Sequence, residues 1–258
     1  MTERPHAAGR GTSRLEELAR SETALGIVSL RRRRPPGAPD DPWIYEVKLD
    51  DDFLMSSAFT EGEVALATLA LAHVASEQDV DVVVGGLGLG FTAHAVLADP
   101  RVRELVLVEA LGEIVDWHER GLVPGGHELT SDPRSRTVVG DFFAMVADGR
   151  PLDGGTTART FDAIVIDIDH SPRHVLHATN ASLYTEAGLR RLATHLSPSG
   201  VVALWSNDPP DEEFLATMRA PFPDAAAHVV EFANPLQDRR AHNTVYLATA
   251  GGGRRASR

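Results

Sequence analysis

Val82-Val-Val-Gly-Gly-Leu-Gly-Leu-Gly-Phe-Thr92 is an apolar run that breaks into glycines and then resumes as a helix-forming segment. A run without polar alternation reads as a strand buried on both faces. Gly86, Gly88 and Gly90 recur at every second position, which allows a tight turn and a close approach of ligand to backbone. The amides that open the following helix favour a polar or anionic group. Nicotinamide and flavin dinucleotides use similar loops, so the glycines alone do not name the ligand.

Downstream, apolar strands at 80–84, 105–109, 136–139, 163–167, 201–206, 227–232 and 244–249 are predicted to alternate with helices at 92–98, 111–120, 142–147, 183–196 and 212–219. That order predicts an α/β, Rossmann-like fold with a seven-stranded, mostly parallel sheet covered on both faces. No helix separates the last two strands, which predicts an antiparallel hairpin at the sheet's end.

Upstream, residues 25–30 and 43–49 read as a small N-terminal β-hairpin. Residues 15–19 are predicted to hold at most one short helix. Thr60 and Glu63 have the spacing of a capping box before a helix with apolar positions Val64, Leu66, Leu69, Leu71 and Val74. The basic run Arg31 to Arg34 reads as a solvated strand end. The expected organisation is a flexible segment 1–23, a hairpin region 24–59, a Rossmann-like catalytic domain 60–250 and a disordered tail 251–258.

Composition narrows the function classes. With 258 residues and 43% hydrophobic content the chain can bury a sizeable core. It has no cysteine, so a thiolate metal site and a cysteine nucleophile are excluded. A formal net charge of −12 argues against nucleic acid as the main partner. No leader or membrane-spanning stretch is read, and the expectation is a cytoplasmic protein acting on a small molecule.

Four places carry candidate chemistry. The first is the glycine loop, Gly86, Gly88 and Gly90. The second is Glu109, which ends Leu105-Val-Leu-Val-Glu109 about twenty residues after the loop, where an acid can accept both ribose hydroxyl protons of an adenosine. The third is Asp141, placed to meet an adenine amino group or to cap a helix. The fourth is Phe161-Asp-Ala-Ile-Val-Ile-Asp-Ile-Asp-His170, whose end faces the crevice beyond the strand ends. Asp167 there is a candidate to hold a substrate ammonium or take its proton, His170 is a second possible base, and Asp169 reads as a residue that turns the chain. Metal binding by this trio lacks a supporting spacing.

The order of these motifs resembles the spermidine synthase family, the polyamine aminopropyltransferases, within the class I methyltransferase fold. The likeness runs from Tyr45 to Leu247. It includes Ala98-Asp-Pro-Arg-Val-Arg-Glu-Leu-Val-Leu-Val-Glu109, Asp132-Pro-Arg134 before Gly140-Asp141, Phe161 to Asp167, Ser182-Leu-Tyr-Thr-Glu186 and Leu196-Ser-Pro-Ser-Gly-Val-Val202. The resemblance implies Glu109 and Asp141 as ligands of the adenosine of S-adenosylmethionine or its decarboxylated form, Asp167 as the catalytic aspartate, a small amine as acceptor, and a homodimer. Two departures stand out. The family's loop aspartate, which helps hold the aminopropyl amine, is matched here by Leu89, and its second, diamine-binding aspartate by His170. Methyl transfer from S-adenosylmethionine to a small molecule therefore stays open beside aminopropyl transfer. So does a catalytically silent nucleoside-binding or scaffolding protein.

Overall fold

A computed structural model of the chain describes residues 15–34, 42–234 and 239–251. It divides into two compact units, Met1–Ala58 and Phe59–Arg258. Residues 252–258 of the expected tail lie outside the described residues, as do 1–14 of the expected flexible segment.

The first unit is an antiparallel sheet of four strands in chain order: β1 (Leu15–Thr23), β2 (Gly26–Arg33), β3 (Ile44–Leu49) and β4 (Asp52–Ser56). The expected hairpin is its central pair, β2 and β3. The expected helix at 15–19 is replaced by strand β1. Its apolar residues Leu15, Leu18 and Ala19 have helical spacing, but a register shift between Glu17 and Ala19 leaves Leu18 as an extra bulge residue, and this mimics that spacing.

The basic run is a paired part of the sheet rather than a solvated end. Alternation sends Arg31 and Arg33 to one face, where their Nε atoms donate to the buried Glu46 at 2.8 and 2.7 Å. Arg32 turns to the other face, donates to Glu16 at 2.9 Å and lies 4.5 Å from the Trp43 ring. Two carboxylates, Glu46 and Glu16, thus pair with three arginines of the run within its own sheet.

The second unit opens with α1 (Glu61–His73), followed by β5 (Val80–Gly85), α2 (Phe91–Leu97) and β6 (Val102–Glu109). Next come α3 (Gly112–Glu119), α4 (Gly126–Ser131), β7 (Ser135–Val139), α5 (Phe142–Asp148) and β8 (Phe161–Ile166). The chain continues through α6 (Glu186–Ala193), β9 (Leu196–Ser206), α7 (Glu212–Arg219), β10 (Ala226–Asn234) and β11 (Arg239–Thr249).

The seven strands stand in the order β10-β11-β9-β8-β5-β6-β7, with β5 to β9 parallel and β10 and β11 antiparallel. The seven-stranded sheet and its closing hairpin are as the sequence predicts. Every residue of β5 is buried, as a strand covered on both faces requires. On one face Val83, Val106, Ile164 and Val202 pack with Phe142 and Phe143 of α5, Leu189 and Leu192 of α6, and Phe214 of α7. Helix α1 lies on β9 and β11 and alongside α2.

Because the chain runs from β5 to β6 and β7 on one side, then returns to β8 and β9 on the other, the order reverses beside β5. In open α/β sheets the crevice beyond the strand ends at that reversal is where ligands bind. No helix among the described residues is long and apolar enough to cross a membrane.

Candidate functional site

Three strand ends meet at the reversal. After β5 the ladder continues for one more bond, from Gly86 N to Val108 O at 2.9 Å, and the chain then turns through left-handed glycines at Gly86, Gly88 and Gly90. Gly86 has φ of 95°, and a Cβ there would come 2.2 Å from the main-chain oxygen of Asp167. Only a residue without a side chain lets the loop lie this close to the end of β8. The same approach is fixed by Asp167 N donating to Gly85 O at 2.9 Å.

Glu109, at the end of β6, is buried. Its Oε2 accepts from Leu87 N and its Oε1 from Leu111 N, both at 2.9 Å. Burial pushes its carboxyl above the ordinary range, against the pull of these backbone amides. The backbone amides of Gly88 and Ala110 also pull on this carboxylate. Asp141 caps α5 through Oδ1, which accepts from Ala144 N at 3.0 Å, and remains exposed at the end of β7.

Asp167, one residue past β8, is half-buried. Its Oδ2 accepts from Thr92 Oγ1, in the first turn of α2, at 2.5 Å. Burial raises the Asp167 carboxyl and the Thr92 hydrogen bond partly offsets this. Glu63 of α1 is its charged neighbour, a residue the sequence assigned to capping. The capping box is absent: Thr60 makes no side-chain cap, and its own N–H is taken by Glu61 Oε2 at 3.0 Å. Glu63 is half-buried instead, and burial together with the Asp167 charge pushes its carboxyl up to about 8. No Lys, Arg or His among the described residues forms an ion pair with Glu63, Asp167 or Glu109. Burial favours the neutral form of all three carboxyls.

The rest of the β8 cluster separates by role. Asp169 is buried and accepts from Leu176 N at 2.7 Å, Asn180 Nδ2 at 2.9 Å and Tyr184 Oη at 2.7 Å. Three donors hold it, so it pins the loop between β8 and α6. His170 is half-buried; its carbonyl accepts from Asn207 N at 2.7 Å, and its imidazole makes no hydrogen bond among the described residues. Next to it, a cleft of about 370 Å³ opens between the loops after β8 and β9, lined by Ser171, Arg173, His174, Asp208 and Asp211. Its charges are paired, Arg173 with Asp211 and Glu213, and His174 with Asp208. Its lining also takes in Glu212 of α7 and Tyr246 of β11, so it is assembled from stretches far apart in the chain.

The loop between Gly85 and Gly90 carries no carboxylate, and Leu89 turns its side chain into the protein with 2% exposure. Among the described residues no group of three or more His, Asp or Glu is placed to hold a metal ion.

No family model matches the chain. In sequence it is similar to a polyamine aminopropyltransferase of Pyrobaculum arsenaticum, 33% identical over 119 residues, which covers 46% of this chain and 39% of that protein. It is also similar to polyamine aminopropyltransferase 2 of Pseudomonas aeruginosa, 27% identical over 161 residues, covering 58% of this chain and 42% of that one. The chain thus spans about two-fifths of the length of the curated relatives it matches. Among solved structures, spermidine synthase from Thermotoga maritima matches with a TM-score of 0.67 at 18% identity, over 91% of this chain and 73% of that one. A spermidine synthase in complex with the transition state analogue AdoDATO matches at 0.69 and 18% identity, over 91% and 74%. Human methyltransferase-like protein 13 in complex with SAH matches at 0.52 and 19% identity, over 75% and 80%. The chain has the fold of these spermidine synthases, which the methyltransferase shares in part, and its sequence is similar to polyamine aminopropyltransferases.

Proposed function

We infer that the protein transfers an alkyl group, an aminopropyl group in the first instance, from an adenosyl-sulfonium donor to a small amine. The observation that carries this reading is the seating of Gly86 against Asp167, which sets the glycine loop beside a carboxylate that has no ion pair among the described residues, at the sheet's reversal. Glu109 would hold the two ribose hydroxyls and Asp141 the adenine edge. Such a donor supplies a carbon bonded to positive sulfur. The amine nitrogen forms a bond to that carbon, the carbon–sulfur bond breaks with its electron pair going to sulfur, and a proton leaves the nitrogen. Asp167, with its carboxyl raised by burial, is suited to orient the amine and receive that proton. Glu63, its carboxyl pushed up to about 8, adds a second acid beside it. Orientation and exclusion of water provide the rest of the acceleration.

A second reading, methyl transfer from S-adenosylmethionine, is favoured by the absence of a carboxylate between Gly85 and Gly90, where an aminopropyl ammonium would need one. Under either reading the acceptor is a small molecule, the site is cytoplasmic and a homodimer is the expected assembly. Calorimetry with S-adenosylmethionine and its decarboxylated form, paired with product assays on putrescine and small amines, separates them. Tighter binding of the decarboxylated donor with aminopropylated product supports the first reading. The reverse ranking with methylated product supports the second, and binding without product leaves a silent nucleoside binder.

A further inference from the structure

His118 of α3 is fully buried, and its Nε2 lies 2.9 Å from the carbonyl oxygen of Gly88. A carbonyl only accepts, so Nε2 carries the hydrogen and Nδ1 is left as a bare acceptor. Nδ1 has no partner among the described residues. Burial, and secondarily the neighbouring His94, hold the ring neutral by pushing its second protonation down. The ring is wedged in place. A Cβ at Gly90 would lie 2.9 Å from its Cε1, and one at Gly126 would lie 2.9 Å from the His118 Cα. A buried side chain with one nitrogen unsatisfied is a costly element to keep, unless its other nitrogen is needed.

What that nitrogen holds is the middle peptide of the glycine loop. Gly88 is left-handed, with φ of 50°, and nothing in its own backbone bonding fixes its carbonyl. In a trans peptide the carbonyl and the following N–H point in opposite directions. With the Gly88 oxygen drawn in to His118, the Leu89 N–H faces the other way, and no acceptor among the described residues receives it. Neighbouring amides are occupied: Leu87 N donates to Glu109 and Gly90 N to Leu87 O.

We propose that His118 is a positioning residue, which locks the Gly88–Leu89 peptide so that the Leu89 N–H stays open to a polar group of the bound donor nucleoside. This rests on the crevice being the nucleoside site. The test compares wild type with His118→Gln, whose amide nitrogen falls near the position of Nε2, and with His118→Leu, which fills the space without a donor. Each protein is titrated calorimetrically with S-adenosylmethionine and with S-adenosylhomocysteine, and its thermal midpoint is measured.

His118→Gln is expected to bind within about threefold of wild type, and His118→Leu roughly tenfold more weakly, although Leu removes the orphan acceptor and melts no lower than Gln. Should Leu prevent folding, His118→Asn, whose amide stops short of Gly88, takes its place with the same expected loss. Undiminished affinity of the Leu or Asn variant overturns the proposal. So does an affinity loss that simply follows the thermal midpoint across the variants. Failure of the wild type itself to bind either nucleoside contradicts the functional reading and this inference with it.

Discussion

Thr92 Oγ1 donates to Asp167 Oδ2 at 2.5 Å, tying the first turn after the glycine loop to the strand end that carries the candidate base. This hydrogen bond favours the ionised carboxylate, against burial, which favours the neutral acid. Thr92→Val keeps the shape and removes the donor. The Asp167 carboxyl then rises further, so the acid limb of the pH–rate profile is expected to move to higher pH, with activity at neutral pH down by roughly tenfold. A profile recorded on both proteins checks this, and an unmoved acid limb removes Asp167 from the rate-determining protonation state.

Asp167→Asn is nearly isosteric and keeps an acceptor for Thr92. Nucleoside affinity is expected to stay within a few-fold of wild type while turnover falls by about 10²–10⁴, the range for loss of a positioned acid or base. Parallel calorimetry and product assays read the two separately. Equal turnover in the two proteins would show that the carboxylate has no part in the chemistry.

At Gly86 a methyl group would meet the backbone oxygen of Asp167 at 2.2 Å, in a left-handed conformation that already costs an L-residue about 1–2 kcal/mol. Neither strand end can yield without breaking the bond from Asp167 N to Gly85 O. Gly86→Ala is therefore expected to push the loop away from β8 and weaken nucleoside binding by at least about tenfold. Gly149, with nothing within 4 Å of an added Cβ, serves as control: Gly149→Ala carries the conformational cost alone and leaves binding intact.

Glu63 makes a prediction for stability. Its carboxyl, ordinarily near 4.5, is pushed up to about 8 by burial and by Asp167. The folded chain thus binds this proton more tightly than the unfolded chain does. Stability is expected to fall as pH rises from about 4.5 to about 8, and to level off above that window. Glu63→Gln cannot ionise and escapes this loss, gaining on the order of a few kcal/mol over wild type at pH 9 but not at pH 4. Urea unfolding at both pH values measures the difference. A gain that is equal at both would mean that Glu63 ionises freely.

Much of the second unit was legible because its strands are continuous apolar runs: nothing polar in Val82 to Val84 or Leu105 to Val108 competes with a doubly covered sheet. Glu109 and Asp167 were legible for a related reason, since an acid at the end of such a run has to emerge at the sheet's edge. The first unit was harder. The bulge at Leu18 counterfeits helical spacing, and Arg31 to Arg33 look solvated until Glu16 and Glu46 are brought opposite them by strand pairing. Glu63 and His118 could not be assigned from spacing. Each meets its partner, Asp167 or Gly88, only through the packing of α1 and α3, contacts that span 104 and 30 positions of the chain. Glu63 also satisfies the capping-box pattern by chance, which hid the role that burial gives it.

The proposed function requires a sulfonium nucleoside to lie across the ends of β5 and β6 with its sugar on Glu109 and its sulfur toward Asp167. A crystal structure of the chain with S-adenosylmethionine tests this most directly. The expected result is both ribose hydroxyls within hydrogen-bond distance of the Glu109 carboxylate and the sulfur on the Asp167 side of the glycine loop. A nucleoside bound elsewhere, or a crevice that stays empty at saturating ligand, would contradict it.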